Sequence, residues 1–306
     1  MEIRTVAVMG AGAVGSYFIW GLHEKLGDRL WVVADGERKA RLEQEGIVVN
    51  GSLIKPCVRT PEEARGADLL VVAVKYGALK TSLEEIAQVT DRHTVVMSVL
   101  NGVDSEEIVG ERIGMEHMVY SVMKIASERR ENQVVFDPAA TLGVLFGEAD
   151  RQKTERIQAI AALLEGSQVH YIVCEDIIRE IWCKYMLNIG NNLPQAMVGC
   201  GFGAYDKSEY LDAIRRNLRK EVEEVARAKG IDLSDQSIPA ARNSGFSLKA
   251  RFSTLQDLDA GRHTEIDMFS GVIMRMGKEL GIATPYNEFT YYMIKSLEEK
   301  NDGLFE

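Results

Sequence analysis

The run Ile177-Ile178-Arg179-Glu180-Ile181-Trp182-Cys183-Lys184-Tyr185-Met186-Leu187-Asn188-Ile189-Gly190-Asn191-Asn192-Leu193-Pro194 sets residues that can do chemistry beside an apolar face. Its core face reads Ile177, Ile178, Ile181, Trp182, Tyr185 and Ile189, spaced by three and four as on one side of an α-helix. Lys184 and Asn188 stand one turn apart on another face, and Asn191 and Asn192 continue it. Asparagine is a poor helix former, so this cluster costs stability unless something uses it. Capping is one use, because Asn favours helix ends and Pro194 is placed to end this helix. Catalysis is the other. A lysine ammonium can give a proton to a carbonyl oxygen whose carbon is receiving hydride, and can stabilise the alkoxide as its charge develops. Neighbouring amides can hold a carboxylate or hydroxyl in position.

Hydride needs a carrier, and a second pattern provides a place for one. Gly10-Ala11-Gly12-Ala13-Val14-Gly15 follows the strand-like Val6–Met9 and opens the helical stretch Ser16–Leu26. In such a turn the first glycine permits the bend, the second lets backbone approach a pyrophosphate, and the third lets helix and strand pack closely. The helix N-terminus then presents free N–H groups to the anion. Asp35, twenty positions past Gly15, stands where a carboxylate hydrogen-bonds an adenosine ribose 2′-OH and favours NAD over NADP. Arg38, Lys39 and Arg41 follow closely and could instead hold a 2′-phosphate, or Asp35-Gly36 could be a plain polar turn. Lys75-Tyr76 and Asn101-Gly102 follow two further strand-like runs, at the carboxyl ends where open α/β sheets bind ligands. Each has a simpler reading, a solvated helix start and an Asn-Gly turn. A last polar cluster joins Ser253-Thr254-Leu255-Gln256-Asp257 to Gly261-Arg262-His263-Thr264-Glu265-Ile266-Asp267. There His263 or Thr264 can start a helix with Glu265 and Asp267 in its first turn, where the dipole favours carboxylates.

The elements that must position these groups divide the chain in two. The first half alternates strand-like runs (Ile3–Met9, Leu30–Val33, Leu69–Val74, Thr94–Ser98, Met118–Ile125, Gln133–Phe136, Thr141–Phe146, Val169–Val173) with helical stretches. That alternation predicts a mostly parallel sheet covered by helices, an α/β doubly wound architecture. Past Cys174 the strand signal fades and helices are predicted at about 176–193, 207–229, 264–280 and 285–300. Gly230 and Gly281 are placed as C-terminal caps, and Thr284-Pro285 as an N-cap followed by proline. The runs 199–203 and 234–247 carry loop chemistry. The expected domains are 1–174, which binds the dinucleotide, and 175–306, all-α, which carries substrate and catalysis.

Composition narrows the partners. The chain has 306 residues, 36 Lys+Arg against 46 Asp+Glu, and a formal charge of −10. Such an acidic chain repels nucleic acid and anionic lipid surfaces, whose binding rests on Lys and Arg. No apolar stretch approaches the ~18–20 residues of a spanning helix, and Met1-Glu2-Ile3-Arg4 lacks the order of a signal peptide, so a cytoplasmic protein is expected. Cys57, Cys174, Cys183 and Cys200 show no metal-ligand spacing and read as reduced thiols. No metal site is expected, and a homodimer is the default from symmetry.

Taken together, these residues resemble the ketopantoate reductase (2-dehydropantoate 2-reductase) family over nearly the whole chain. The resemblance rests on Gly10–Gly15, Lys75, Asn101-Gly102, the Lys184/Asn188/Asn192 spacing, and Ser253-x-Leu255-Gln256-Asp257 leading to Gly261-Arg262-x-Thr264-Glu265-Ile266-Asp267. It implies an N-terminal Rossmann-type domain and a C-terminal domain of the 6-phosphogluconate-dehydrogenase-like type. It also implies NADPH-dependent reduction of 2-dehydropantoate to pantoate, on the route to pantothenate and coenzyme A. By resemblance Lys184 is the proton donor and Asn101 touches both nicotinamide and substrate. Asn188, Asn192 and Ser253 hold the substrate, Glu265 reaches cofactor or substrate hydroxyl, and Lys75 lies beside the cofactor. Three positions depart from the family pattern. Leu193 intervenes before Pro194, Ala250 stands where an asparagine is frequent, and Asp35 stands where NADPH-using relatives usually carry a basic residue. The first shifts the choice between Asn191 and Asn192, the second allows another 2-oxo acid, and the third allows NAD(H). A dinucleotide-sensing protein would share the glycine turn but has no use for Lys184, Asn101 and Glu265 together.

Overall fold

Val6-Ala7-Val8-Met9 and Leu69-Leu70-Val71-Val72 have no polar side to turn to water, so both faces of these strands must be covered. In the computed structural model, which describes residues 1–125, 127–130, 133–237, 241–243 and 247–305, they are fully buried neighbours in one sheet. Part of the loop expected at 234–247 lies outside the described residues. The chain divides into two compact units, Met1–Ile178 and Arg179–Glu306.

The first unit begins β1 (Val6–Met9), α1 (Ala13–Leu26), β2 (Leu30–Val33), α2 (Gly36–Glu45), β3 (Ile47–Val49), β4 (Ser52–Ile54), β5 (Cys57–Arg59) and β6 (Leu69–Val72). It continues α3 (Tyr76–Leu79), α4 (Leu83–Val89), β7 (Val95–Ser98), α5 (Ser105–Ile113), β8 (Met118–Lys124), β9 (Ser127–Arg130), β10 (Gln133–Phe136), β11 (Gly143–Gly147), α6 (Glu155–Leu164) and β12 (Tyr171–Val173). The main sheet runs β12-β11-β8-β7-β6-β1-β2-β5 and is parallel except where β11 meets β8. Strand direction of sequence reverses at β1, which lies between β2 and β6, so the switch point of the doubly wound sheet falls there. The pleat sends Val6 and Val8 to one apolar layer, with Tyr17, Phe18 and Leu22 of α1, and Ala7 and Met9 to the other, with Leu79, Ile86 and Val109.

The expected α/β sheet is thus present, and β2 and β10 have the expected limits. Four strands were not anticipated: β3, β4, β5 and β9. β5 extends the main sheet beside β2, while β4-β3-β10-β9 form a second sheet. At three or four residues each, they are too short for alternation to register.

The second unit is helical among its described residues: the remainder of α7 (Ile177–Val198), then α8 (Glu209–Ala228), α9 (Ser253–Asp259), α10 (Val272–Leu280) and α11 (Pro285–Asn301). Gly281 takes the left-handed conformation that caps α10, and Thr284 and Pro285 start α11 as predicted. Three expectations need correction. α9 is a helix where only a polar cluster was read. The helix expected over 264–280 is a π-helical turn, Asp267–Gly271, leading into α10, so Glu265 precedes the helical segment instead of lying in it. α7 passes through Pro194 and ends at Val198.

Pro194 should break the helix, because it lacks an N–H for the Gly190 carbonyl and crowds it. The Tyr205 hydroxyl takes over part of that role, donating to Asn191 O at 2.7 Å and lying 3.5 Å from Gly190 O. Gly190 lets Arg219 of α8 pack onto the same turn, since a Cβ there would come within 2.5 Å of Arg219 Cγ.

α11 is anchored by one carboxylate. Glu221 of α8, 5% exposed, accepts from Tyr286 N at 2.8 Å, Asn287 N at 2.9 Å and Asn287 Nδ2 at 2.8 Å. Asn287 Oδ1 in turn accepts from Ser270 Oγ at 3.0 Å. Removing this acceptor takes the partner from the buried Asn287 N–H and weakens the bonding of two further donors, Asn287 Nδ2 and the part-buried Tyr286 N–H. Glu221→Ala is therefore expected to lower unfolding free energy by about 2–4 kcal/mol, measured by urea denaturation. A loss below about 0.5 kcal/mol, the range of surface substitutions, would refute this anchoring role.

Candidate active site

The glycine turn is built from close backbone approaches. Gly10 has φ +100°, and a Cβ on it would meet the Ala73 carbonyl carbon at 2.6 Å. A Cβ on Gly15 would sit 1.8 Å from Gly10 O. Both glycines are thus required by the protein's own packing. Gly12 is different, because a Cβ there would meet nothing within 4 Å and its φ is an ordinary −80°. It is also the N-cap of α1, with no capping side chain and no acidic residue in the first turn. The half-buried start of α1, Ala11 to Val14, thus has open space at Gly12 and carries the N-terminal N–H groups that a helix leaves without intrahelical acceptors, at the sheet's switch point. This is the donor set a pyrophosphate needs, so the residues present fit a dinucleotide.

The other predicted positions of this unit lie at strand ends. Asp35 is the exposed N-cap of α2, and its carboxylate makes no capping bond. Arg38 is exposed in the first turn of the same helix. Lys75, exposed, is the N-cap of α3 just beyond β6. Asn101 is half-buried in the bend after β7, with Gly102 at φ +102°. Tyr76 Oη donates to Asp104 Oδ2 at 2.8 Å, tying the α3 start to the Asn101 bend.

Sequence reading missed what fixes that bend. Glu106, 3% exposed, accepts from Ser105 Oγ at 2.8 Å, and Ser105 Oγ shares a 2.7 Å hydrogen bond with Ser98 Oγ at the end of β7. Ser121 Oγ of β8 donates to Ser98 O. Burial pushes the Glu106 carboxyl up to about 8 against the opposing Ser105 hydrogen bond, and the Glu107 charge adds to the rise. Nothing in the pair Glu106-Glu107 distinguished a buried carboxyl from a solvated one.

In the second unit, Lys184 and Asn188 are half-buried on α7, and Asn191 and Asn192 are buried, at 9% and 7% exposed. Because α7 continues past Pro194, these asparagines lie well inside a helix, and capping does not account for them. Asn191 Oδ1 is buried without a hydrogen-bond partner, as is Thr254 Oγ1 beside Ser253. Ser253 itself is exposed at the first position of α9. Gln195, fully buried, holds the segment before it: its Nε2 donates to Ala250 O at 2.9 Å and its Oε1 accepts from Phe252 N at 2.6 Å. The Ala250 side chain packs against the cluster of Phe202, Tyr205 and Leu211.

Much of the Gly261–Asp267 pattern turns out to be a folding device. Arg262 Nε pairs with Asp257 Oδ1 at 2.8 Å, and Glu298, 2% exposed, accepts from Thr264 N and Oγ1 at 2.7 and 2.6 Å. Asp267 receives Tyr291 Oη at 2.7 Å and Lys295 Nζ at 2.9 Å. The π-turn that follows is held from α7, where Tyr185 Oη lies 2.9 Å from Met268 O and 2.6 Å from Phe269 O. Tyr185 thus ties the residue next to Lys184 to the turn next to half-buried Glu265, a link no local pattern announces.

Comparison with known proteins agrees in name and extent. The family described as Ketopantoate reductase PanE/ApbA matches residues 6–150, and its C-terminal counterpart matches residues 176–298. A 2-dehydropantoate 2-reductase of Archaeoglobus fulgidus is 26% identical over 303 residues, covering 97% of this chain and 99% of that one. A PanE/ApbA family ketopantoate reductase from Ralstonia eutropha JMP134 superposes with TM-score 0.84 at 25% identity, over 97% of this chain and 99% of that one. D-mandelate dehydrogenase, solved with NADH and anilino(oxo)acetate, shares the fold at TM-score 0.85 and 23% identity, over 97% of this chain and 99% of that one.

Two outcomes test this geometry. Gly12→Ala is expected to change stability by less than about 1 kcal/mol but to weaken dinucleotide binding about tenfold or more, about 1.4 kcal/mol, in a fluorescence titration. Unchanged affinity would show that no anion approaches that backbone. For Glu106, the folded state keeps its proton up to about pH 8 while an unfolded carboxyl loses it near the ordinary value of 4.5. The folded state then binds more protons between these values, so stability falls as pH rises across that window, by up to about 1.4 kcal/mol per unit. Glu106→Gln is expected to flatten this slope in urea denaturation at pH 5.5 and 8; an unaltered slope would refute the buried neutral carboxyl.

Proposed function

The chain belongs to the ketopantoate reductase PanE/ApbA family, an oxidoreductase family, and from that premise we propose that it reduces 2-dehydropantoate to pantoate in the cytoplasm. The observation that carries the reading is the open backbone cradle at Gly12, which the protein's own packing leaves unused while it demands Gly10 and Gly15. The first domain, 1–174, takes the dinucleotide, and the second, 175–306, carries the acid and the amides. A bound reduced nicotinamide supplies hydride to the carbonyl carbon of the 2-oxo acid.

Everything else falls to side chains of this chain. Lys184 gives a proton from its ammonium to the carbonyl oxygen, leaving a neutral amine that regains a proton from water, so hydride and proton together reduce C=O to CH–OH. Until that transfer, its positive charge stabilises the oxygen as it becomes an alkoxide. Asn188 and Asn192 hold the substrate carboxylate and hydroxyl with Ser253, and Asn101 orients nicotinamide and substrate. The orphan acceptor Asn191 Oδ1 is a further place for a substrate hydroxyl to donate. Glu265 takes the cofactor or the substrate hydroxyl, Lys75 lies along the dinucleotide, and Gly10, Ala11, Gly12, Ala13, Val14 and Gly15 cradle its pyrophosphate. Two copies of the chain form the working dimer.

A second reading, reduction of another 2-oxo acid, is favoured by Ala250. This side chain is committed to the Phe202, Tyr205 and Leu211 cluster and has no group to offer a substrate hydroxyl. The test is oxidation of reduced dinucleotide with 2-dehydropantoate beside a panel of other 2-oxo acids. Turnover confined to another acid would replace the substrate and keep the chemistry. Lys184→Ala is expected to bind dinucleotide nearly as wild type and to lose roughly 10²–10⁴ in kcat. Retained turnover in that variant would refute Lys184 as the acid.

A further inference from the structure

Two basic residues near the end of β2, Lys39 and Arg59, are already engaged. Lys39 Nζ pairs with Glu63 Oε2 at 2.6 Å, and Glu63 is itself fixed, accepting from Thr60 N at 2.8 Å while its own N–H donates to Thr60 Oγ1 at 3.2 Å. Arg59 lies in β5, directly beside β2, where its carbonyl accepts from Ala34 N at 3.0 Å. Its guanidinium stacks over Trp31 at 4.1 Å from the ring centroid and donates to Glu63 O at 3.2 Å. Arg41 is exposed two positions beyond Lys39, further along α2 from its N-terminus.

The carboxylates are arranged the other way. Asp35 stands at the exit of β2 with its side chain unused for capping. Glu85 of α4 is raised by burial and then by the charges of Asp35 and, more weakly, Glu62, with Arg38 opposing between them. Asp35, Arg38 and Glu62 all act on Glu85 at this corner, while Lys39 is paired with Glu63 and Arg59 is stacked on Trp31. In doubly wound dinucleotide folds this corner meets the adenosine ribose, where a carboxylate accepts from the 2′-OH and a 2′-phosphate demands unpaired bases.

Resting on the reading of the glycine turn as a dinucleotide site, we infer that this chain takes NADH in preference to NADPH, selected by Asp35 with Glu62 and Glu85 behind it and by the commitment of Lys39 and Arg59 to Glu63 and Trp31. Arg38 lies among Asp35, Glu62 and Glu85, so a phosphate arriving there meets these carboxylates as well as the guanidinium. The selectivity is electrostatic as well as bonded, so added salt screens part of the repulsion.

The test is titration of the intact wild-type chain with NADH and with NADPH by nicotinamide fluorescence, at low and moderate salt. NADH is expected to bind about tenfold tighter or better, the effect of one close like-charge contact near a protein surface, with the gap narrowing as salt rises. Asp35→Ser combined with Glu85→Gln is expected to close most of the gap, weakening NADH and strengthening NADPH. Circular dichroism confirms that the variant is folded, and Glu85→Gln alone serves as a milder second variant that keeps the ribose acceptor. NADPH binding as tightly as NADH in the wild type, or a ratio unmoved by both variants, would overturn the inference. If NADPH is preferred and a 2-oxo acid is still reduced, this inference falls and the proposed function stands. Binding of neither dinucleotide overturns both.

Discussion

Three stretches of backbone converge where β1 ends: the bend at Gly10, the first turn of α1 at Gly15, and the exit of β6 at Ala73. Their separations leave no room for a Cβ, so the strand, the helix and the neighbouring strand are locked at one point by the absence of side chains. The crossover from β1 through α1 to the parallel β2 starts from that point, as does the reversal of strand order. Gly12 sits in the same turn but outside the crowding, so the packing that requires Gly10 and Gly15 does not require a glycine there.

The second unit depends on a comparable accommodation. A proline in the interior of α7 would ordinarily end the helix, and here the Tyr205 hydroxyl serves the Asn191 and Gly190 carbonyls of the turn that precedes it. Continuation matters because it carries Gln195 far enough to grip Ala250 and Phe252, which sets the start of α9 and with it Ser253. It also leaves the asparagines mid-helix, where they are unfavourable by propensity. Local rules broken at this density are expected where function compensates for them.

Buried carboxyls do much of the positioning in both units. Glu106, its carboxyl pKa pushed up by burial, is held by Ser105 next to the Asn101 bend, Glu221 starts α11, and Glu298 holds Thr264 ahead of Glu265. Each is a buried carboxyl whose oxygens accept from buried or part-buried donors, so each is strongly specified by its surroundings. None touches the residues assigned to the chemistry by a route visible in sequence, because each acts across elements distant along the chain.

Local pattern alone determined a good deal. Continuous apolar runs announced the buried strands, the glycine spacing announced the turn after β1, and a nearly uncharged polar face announced Lys184 and its asparagines. These are signals of period and spacing, carried by residues close together in the chain. The short strands β3, β4, β5 and β9 escaped because three or four residues hold no period, and α7 was cut short because propensity assigns proline a break that is absent here, where the Tyr205 hydroxyl serves the preceding carbonyls. Whether Lys39 is available to a phosphate, whether Glu106 keeps its proton, and how the Glu265 segment is held are decided by partners far along the chain. Those partners meet only when the chain folds, so tertiary structure alone fixes the charge and freedom of each group.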